Sequence, residues 1–256
     1  MPDAPVVTTA SPETSTPDLT GAARVRELWR RWRREKEDPE PFYSMLAAET
    51  VQRLERRYRP VAGQRVLDLG CGPGFYTTAF RRRGATVTPL DGSFDELDLT
   101  GRPPAGAVLA DAGRAPFPDA TFDAVFCSNL LEHARDTAAI IGEVARLLRP
   151  GGWGYVSWTN WYSPWGGHDM TPYQFLGPER GPRLYEARHG PPRKNRYGEG
   201  LFAVHIGPTL RLARAQPHLD VEHVEPRYWP WASFLPHLPG VREVLCWNCV
   251  LYLKRR

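Results

Sequence analysis

Apolar and polar positions along the chain alternate between two kinds of block. RVLDLG (65–70), ATVTPLD (85–91), GAVLAD (106–111), FDAVFCSN (122–129) and WGYVSWTN (153–160) are short apolar runs, each closed by Gly, Asp or Asn. Runs of this length bounded by turn residues read as strands. Between them lie segments with helical spacing. FYTTAFRRRG is stopped by Gly84, and TAAIIGEVARLLRPGG carries Ala139, Ile140, Val144, Leu147 and Leu148 on one side and ends at Pro150 and Gly151. Strands alternating with helices predict a parallel sheet covered on both faces. A further helix over about 207–215 precedes DVEHVEPRYW (220–229) and EVLCWNCVLYL (243–253). Too little sequence separates these two for a helical crossover, so they should pair antiparallel. The expectation is an α/β doubly wound sheet of seven strands, mostly parallel with the last strand antiparallel.

The ends follow other patterns. Residues 1–21 are rich in Pro, Thr, Ser and Asp without an apolar period, which predicts a disordered tail. Residues 22–60 read as a cap of two helices. In the first, Val25, Leu28, Trp29 and Trp32 form the apolar side and Arg24, Arg26, Arg30, Arg31, Arg33 and Arg34 fill the rest; the second runs from about Tyr43 to Tyr58. The basic helix is read mainly as a solvated face packed on the main domain, with peripheral contact to an anionic membrane surface as the alternative. The main domain, 61–256, carries an insertion at 161–200.

Composition narrows the function classes. A chain of 256 residues with 41% apolar and 24% charged positions is ordinary globular material. No apolar run reaches 18 residues and the start lacks a signal-peptide pattern, so a cytoplasmic location is expected. A net charge of +4 permits an anionic partner without requiring one, and without a separate RNA-binding module no nucleic-acid partner is expected. Oligomeric state is not readable. Strand alternation would put Cys246 and Cys249 on opposite faces, which reads as packed thiols rather than a metal half-site. No metal is expected.

The first strand runs into DLGCGPGFY. Its glycines, Gly70, Gly72 and Gly74, depart from the dinucleotide fingerprint G-x-G-x-x-G because Phe75 stands at the third position. Acids surround the turn: Asp68 precedes it, Asp91 ends the second strand and Asp111 the third. In open α/β sheets such strand ends are where ligands bind.

VLDLGCGPG (66–74), DAGRAPFPDATFDAVFCSNLLEH (111–133) and RLLRPGG (146–152) together resemble the class I S-adenosylmethionine-dependent methyltransferases of the small-molecule group, and the insertion after the fifth strand resembles that of actinobacterial methyltransferases of sugar, cell-envelope glycan or secondary-metabolite pathways. The resemblance of the motifs covers about residues 60–160 and implies a Rossmann-like fold and S-adenosylmethionine as cofactor. It implies that Gly70, Gly72 and Gly74 approach the methionine part, and that Asp91 holds the ribose hydroxyls. Asp111 and Ala112 would meet the adenine, Asn129 would lie near the sulfonium, and Tyr43 would cover the cofactor.

Methyl transfer is an in-line displacement helped by alignment and desolvation, and a hydroxyl acceptor also needs a base. Histidine is the natural candidate. His168, with Asp169 beside it, follows the fifth strand, and His133 follows the fourth. His205 is a weaker choice, as a substrate contact. The aromatic insertion supplies flat faces in Trp161, Tyr162, Trp165 and Tyr173, and cations in Arg193 and Lys194, and reads as a lid with one wall of an acceptor pocket. The combined expectation is methylation of a polar small molecule at oxygen, a sugar or glycosylated metabolite, with an amine acceptor as the alternative.

Overall fold

A computed structural model describes residues 26, 27, 30, 31, 33, 34, 38–57, 60–192 and 194–256. The tail expected at 1–21, the apolar side of the first cap helix (Val25, Leu28, Trp29, Trp32) and Arg193 lie outside these residues. No described helix is long and apolar enough to cross a membrane.

The sheet has seven strands: β1 Arg65–Leu69, β2 Thr86–Asp91, β3 Val108–Leu109, β4 Phe122–Ser128, β5 Leu148–Thr159, β6 Leu219–Pro226 and β7 Asn248–Arg255. Their order is β3-β2-β1-β4-β5-β7-β6. β3, β2, β1, β4 and β5 pair in parallel, and β7 slots antiparallel between β5 and β6. This is a doubly wound Rossmann-like sheet. Strand order reverses at β1, which has β2 on one side and β4 on the other, so the crevice opens at the carboxyl ends of β1 and β4.

Helices cover both faces: α1 Glu40–Arg57, α2 Phe75–Arg82, α3 Phe94–Leu97, α4 Thr137–Leu147, α5 Arg180–His189, α6 Ile206–Ala215 and α7 Arg242–Leu245. Period-2 alternation in the strands feeds two cores. Leu67, Leu69, Val125, Cys127, Val156 and Trp158 pack with Ile140, Ile141 and Val144 of α4 and Leu210 of α6. Val66, Ala124, Phe126, Trp153 and Tyr155 pack on the other face with Ala47, Val51 and Leu54 of α1 and Phe80 of α2. On that second face the parity continues to Asp68, Ser128 and Ser157 at the carboxyl ends of three strands. A face apolar along its length thus turns polar at the crevice.

Several boundaries differ from expectation. The helix expected to run to Pro150 stops at Leu147, because Leu148 already pairs with Phe122 of β4, and a bulge resets the register before Ala124 meets Trp153. The run 243–253 is not all strand. Glu243 to Leu245 are helical, and the β6 to β7 connection contains two 3-10 turns before α7. Cys246 therefore lies outside the strand, strand parity does not apply to it, and its buried thiol meets that of Cys249.

Candidate functional site

The glycine turn after β1 is built around positive φ. Gly70, Gly72 and Gly74 have φ of +76°, +49° and +82°. At Gly70 a Cβ would come within 2.9 Å of Leu130, and at Gly74 within 2.4 Å of Pro104. At Gly72 a Cβ would meet nothing within 4 Å: the backbone there faces open space, the cradle that a close-approaching ligand needs. Tyr43 of α1 stacks on Phe75 at the start of α2, with ring centroids 5.7 Å apart and planes at 13°, beside the turn.

Carboxylates frame this cradle. The Gly72 N–H donates to Asp91 Oδ2 at 2.8 Å and the Ser93 N–H to Oδ1 at 3.0 Å. Asp68 is buried, accepts from the Thr77 hydroxyl at 2.6 Å, and is pushed up to about 7 by burial. Asp111 is exposed and caps the next 3-10 turn through the Gly113 N–H. Ala112 points its side chain into the core, leaving its backbone for any contact with a ligand. Asn129, just past β4, has φ +55°, a conformation costly for a side-chain-bearing residue, and its Oδ1 accepts from Asn248 at 2.8 Å.

Residues 67–156 match the methyltransferase domain family. The chain is 36% identical over 244 residues to an uncharacterized methyltransferase of Mycobacterium marinum, covering 91% of this chain and 95% of that one. The chain is a class I S-adenosylmethionine-dependent methyltransferase. Solved structures agree on the fold of the methyltransferase. An S-adenosylmethionine-dependent methyltransferase from Mesorhizobium loti superposes with a TM-score of 0.55 at 24% identity, covering 80% of this chain and 96% of that one. The [4+2]-cyclase SpnF gives 0.52 at 19% identity, with 81% of each chain covered. The open backbone at Gly72 and the carboxylates at 91 and 111 fit the cofactor, S-adenosylmethionine: a close backbone approach for its amino-acid end and oxygen acceptors for its hydroxyl and amino donors. Asp68, expected to contact the cofactor, is instead buried against Thr77 and exposes no acceptor.

The methyltransferase closes this crevice with the insertion, which is more regular than expected: two 3-10 turns, 168–170 and 173–176, precede the ten-residue α5. It leaves the sheet at Trp161 and crosses the strand ends. His133 Nδ1 bonds Gly200 O at 2.8 Å, Arg135 reaches Gly198 O, and Lys194 pairs with Glu96 of α3. The strap therefore spans from β5 past β4 to the element after β2.

The candidate histidines come together. The rings of His133 and His168 stand edge to face at 5.1 Å. His168 has φ +48°, and its Nδ1 is buried without a hydrogen-bond partner. Burial holds its imidazole below the ordinary histidine value, and the neighbouring His133 adds to this against the opposite pull of Glu132. The expected His168–Asp169 pair is not formed: Asp169 is exposed and makes no hydrogen bond to the ring, since the 3-10 turn sends consecutive side chains in different directions. His205 lies apart, against Tyr162 at 5.3 Å and 3.9 Å from Glu243.

The aromatics divide. Trp161, only 1% exposed, belongs to the insertion's own core with Met170 and Leu201 and is no pocket wall. Tyr173 turns towards α5, where its hydroxyl meets His189 at 2.9 Å. Trp165 is 42% exposed and stands against Tyr228 and Trp247. Tyr228 and Trp247, in the β6 to β7 connection, are rim residues that sequence reasoning missed.

So was Arg227. Its guanidinium is buried on the face of Ser128 and Ser157. Nη1 donates to Ser128 Oγ at 3.0 Å and Asn129 Oδ1 at 3.2 Å, and Nη2 donates to the Tyr76 hydroxyl. The available signal was the parity that leaves two serines at the ends of otherwise apolar strands.

Proposed function

We propose that the methyltransferase modifies a polar small molecule at oxygen, a sugar or glycosylated metabolite, with His133 as the base and His168 as its support. The observation that carries this reading is the Nδ1 contact of His133. A carbonyl oxygen only accepts, so Gly200 O holds the proton on Nδ1 and leaves Nε2 as a proton acceptor. S-adenosylmethionine, when bound, supplies an electrophilic methyl group on a sulfonium. The chain's residues then align and desolvate: the strap covers the strand ends, and Asn129 fixes the rim of β4 nearest the histidines. Asp91, with Gly72, would hold the ribose; Tyr43 would cover the cofactor; Trp165, Tyr162 and His205 would face the acceptor. The cytoplasm and a natural-product or envelope-glycan pathway fit a soluble donor and a polar acceptor.

A screen of sugars, glycosides and amino sugars with methyl-labelled S-adenosylmethionine tests this. Label recovered on oxygen, with turnover lost in His133→Ala, supports it. Label on nitrogen, with turnover kept in both His133→Ala and His168→Ala, replaces it with amine methylation.

A further inference from the structure

Arg227 presents a problem of charge. Arginine is always protonated and is rarely buried unless paired with an acid. Arg227 is 8% exposed, yet among the described residues no carboxylate lies within 4.0 Å of its guanidinium. Its partners are neutral: Ser128, Asn129, a long contact of 3.5 Å to Ser157, and Tyr76. The adjacent Tyr155 does not balance the charge either, because burial pushes its phenol up to about 12. A water-sized cavity of about 30 Å³ on the α1 side is lined by Arg227 with Glu49 and Glu225. Glu225 is already engaged by Arg57 and the Tyr252 hydroxyl.

The guanidinium has five N–H donors in a flat fork. Its contacts use both hydrogens of Nη1 and one of Nη2, so Nε–H and the second Nη2 hydrogen are unspent among the described residues. A planar pair of donors suits a carboxylate or phosphate held by two parallel bonds. The partners of the guanidinium lie at the crevice end of the sheet. Ser128 and Asn129 are half-buried at the carboxyl end of β4, and Tyr76 sits on α2 directly after the glycine turn. Trp165 and Tyr228 form the adjoining rim. A cation kept desolvated without a carboxylate in contact costs stability, and an incoming anion bonded to it relieves that cost.

We propose that Arg227 is the recognition site for an oxyanion on the acceptor, a carboxylate or a phosphate, so that the substrate is an acidic hydroxylated molecule such as a uronate or a sugar phosphate. This rests on the reading of a polar oxygen acceptor and narrows it. Tyr76, Ser128 and Asn129 hold the guanidinium flat, and the anion anchors the acceptor at the β4 end, leaving its hydroxyl to the histidines.

The test uses the full chain saturated with S-adenosylhomocysteine. Sodium phosphate and sodium acetate are titrated against sodium chloride at matched ionic strength, reading Tm and hydrogen exchange of the peptide spanning 226–231. A saturable rise in Tm and protection of that peptide are expected, with the stronger of the two salts telling phosphate from carboxylate. Arg227→Met should weaken the probe by about 30-fold or more, keep cofactor affinity within about twofold, and leave Tm in chloride unchanged or higher, since it removes an unpaired buried charge. No effect beyond chloride in the wild type overturns the proposal. So does an equal effect in Arg227→Met, or a loss of cofactor affinity of about tenfold, which would assign the guanidinium to the cofactor. If Arg227→Met does not fold, exchange in the wild type decides. Acceptor assays with glucose, glucuronate and glucose 1-phosphate separate the two readings. Methylation of glucose alone sinks the oxyanion site and keeps oxygen transfer; anion binding without any O-methyl product does the reverse.

Discussion

The rings of His133 and His168 meet edge to face at 5.1 Å although one follows β4 and the other belongs to the strap. The strap therefore sets a second imidazole against His133. With Nδ1 of His133 bound to Gly200, a second strap residue fixes the tautomer. His133→Ala should lower turnover by about 100-fold or more, the usual worth of a general base, with cofactor affinity unchanged in calorimetry. His168→Ala should cost less and act on both turnover and KM, because it supports the ring. Equal activity of both variants with wild type would remove histidine from the chemistry.

The strap should also be sensitive to acid. The folded value of His168 lies below its unfolded one, chiefly through burial and then through His133. Its contribution to stability is present above the unfolded value and is lost as pH falls through the unfolded value towards the folded one. Protection of residues 161–200, measured relative to intrinsic exchange, should fall as pH drops below the ordinary histidine value, and His168→Phe should flatten that response.

Asp68 carries the opposite sign. Burial raises its folded value to about 7 from an ordinary 3.8. Between these values the folded chain keeps a proton that the unfolded chain releases, so stability falls as pH rises from 3.8 to about 7 and is level above. Asp68→Asn, which keeps the shape and can still meet Thr77, should remove this slope from a Tm against pH plot.

Two glycines of one turn should fail differently. Gly72→Ala adds a methyl group into open space at φ +49°, so it should cost about 1–2 kcal/mol of stability but block the cofactor's approach. Gly74→Ala drives a Cβ to 2.4 Å from Pro104, so it should lower Tm first. Thermal unfolding with and without S-adenosylhomocysteine separates them: cofactor-induced stabilisation should vanish in Gly72→Ala, whose own Tm should fall by only a few degrees, and persist in Gly74→Ala at a lower Tm.

Trp161 and Trp165, four positions apart, should separate packing from recognition. Trp161→Ala removes a buried ring and should destabilise the insertion by about 3–5 kcal/mol, seen as fast exchange confined to 161–200. Trp165→Ala should leave Tm nearly unchanged and raise acceptor KM.

Legibility followed the range of the signal. Strands β1, β2, β4 and β5 and the glycine turn are written in short windows, since alternation and turn residues act locally. The boundary at Leu147 and Leu148 was hidden because an apolar residue suits either a helix face or a strand, and pairing with Phe122 decided it. Cys246 and Cys249 are packed thiols as expected, but parity, applied beyond the strand, set on opposite faces two groups that meet. Parity marks the polar ends Ser128 and Ser157 but, for a different reason, not Arg227 as their partner. Its setting is assembled from α2, β4, β5 and the end of β6, and no window of sequence holds all four. The His168–Asp169 pairing failed because neighbours in sequence need not share a direction in a 3-10 turn.

The insertion leaves β5 and returns to the start of α6 at one place: the Trp161 N–H donates to Val204 O at 3.0 Å, and its two ends share a small core of Trp161, Met170 and Leu201. Because loop-closure cost grows only slowly with length, a segment whose ends already meet can be lengthened, shortened or exchanged for another without disturbing the register of the strands beneath. The wall that Tyr162 and Trp165 supply can thus vary while the glycine turn, His133 and Arg227 stay in place. Transplanting residues 161–204 onto a relative's sheet should leave stabilisation by S-adenosylhomocysteine unchanged and alter acceptor KM without moving an Arg227-dependent anion preference.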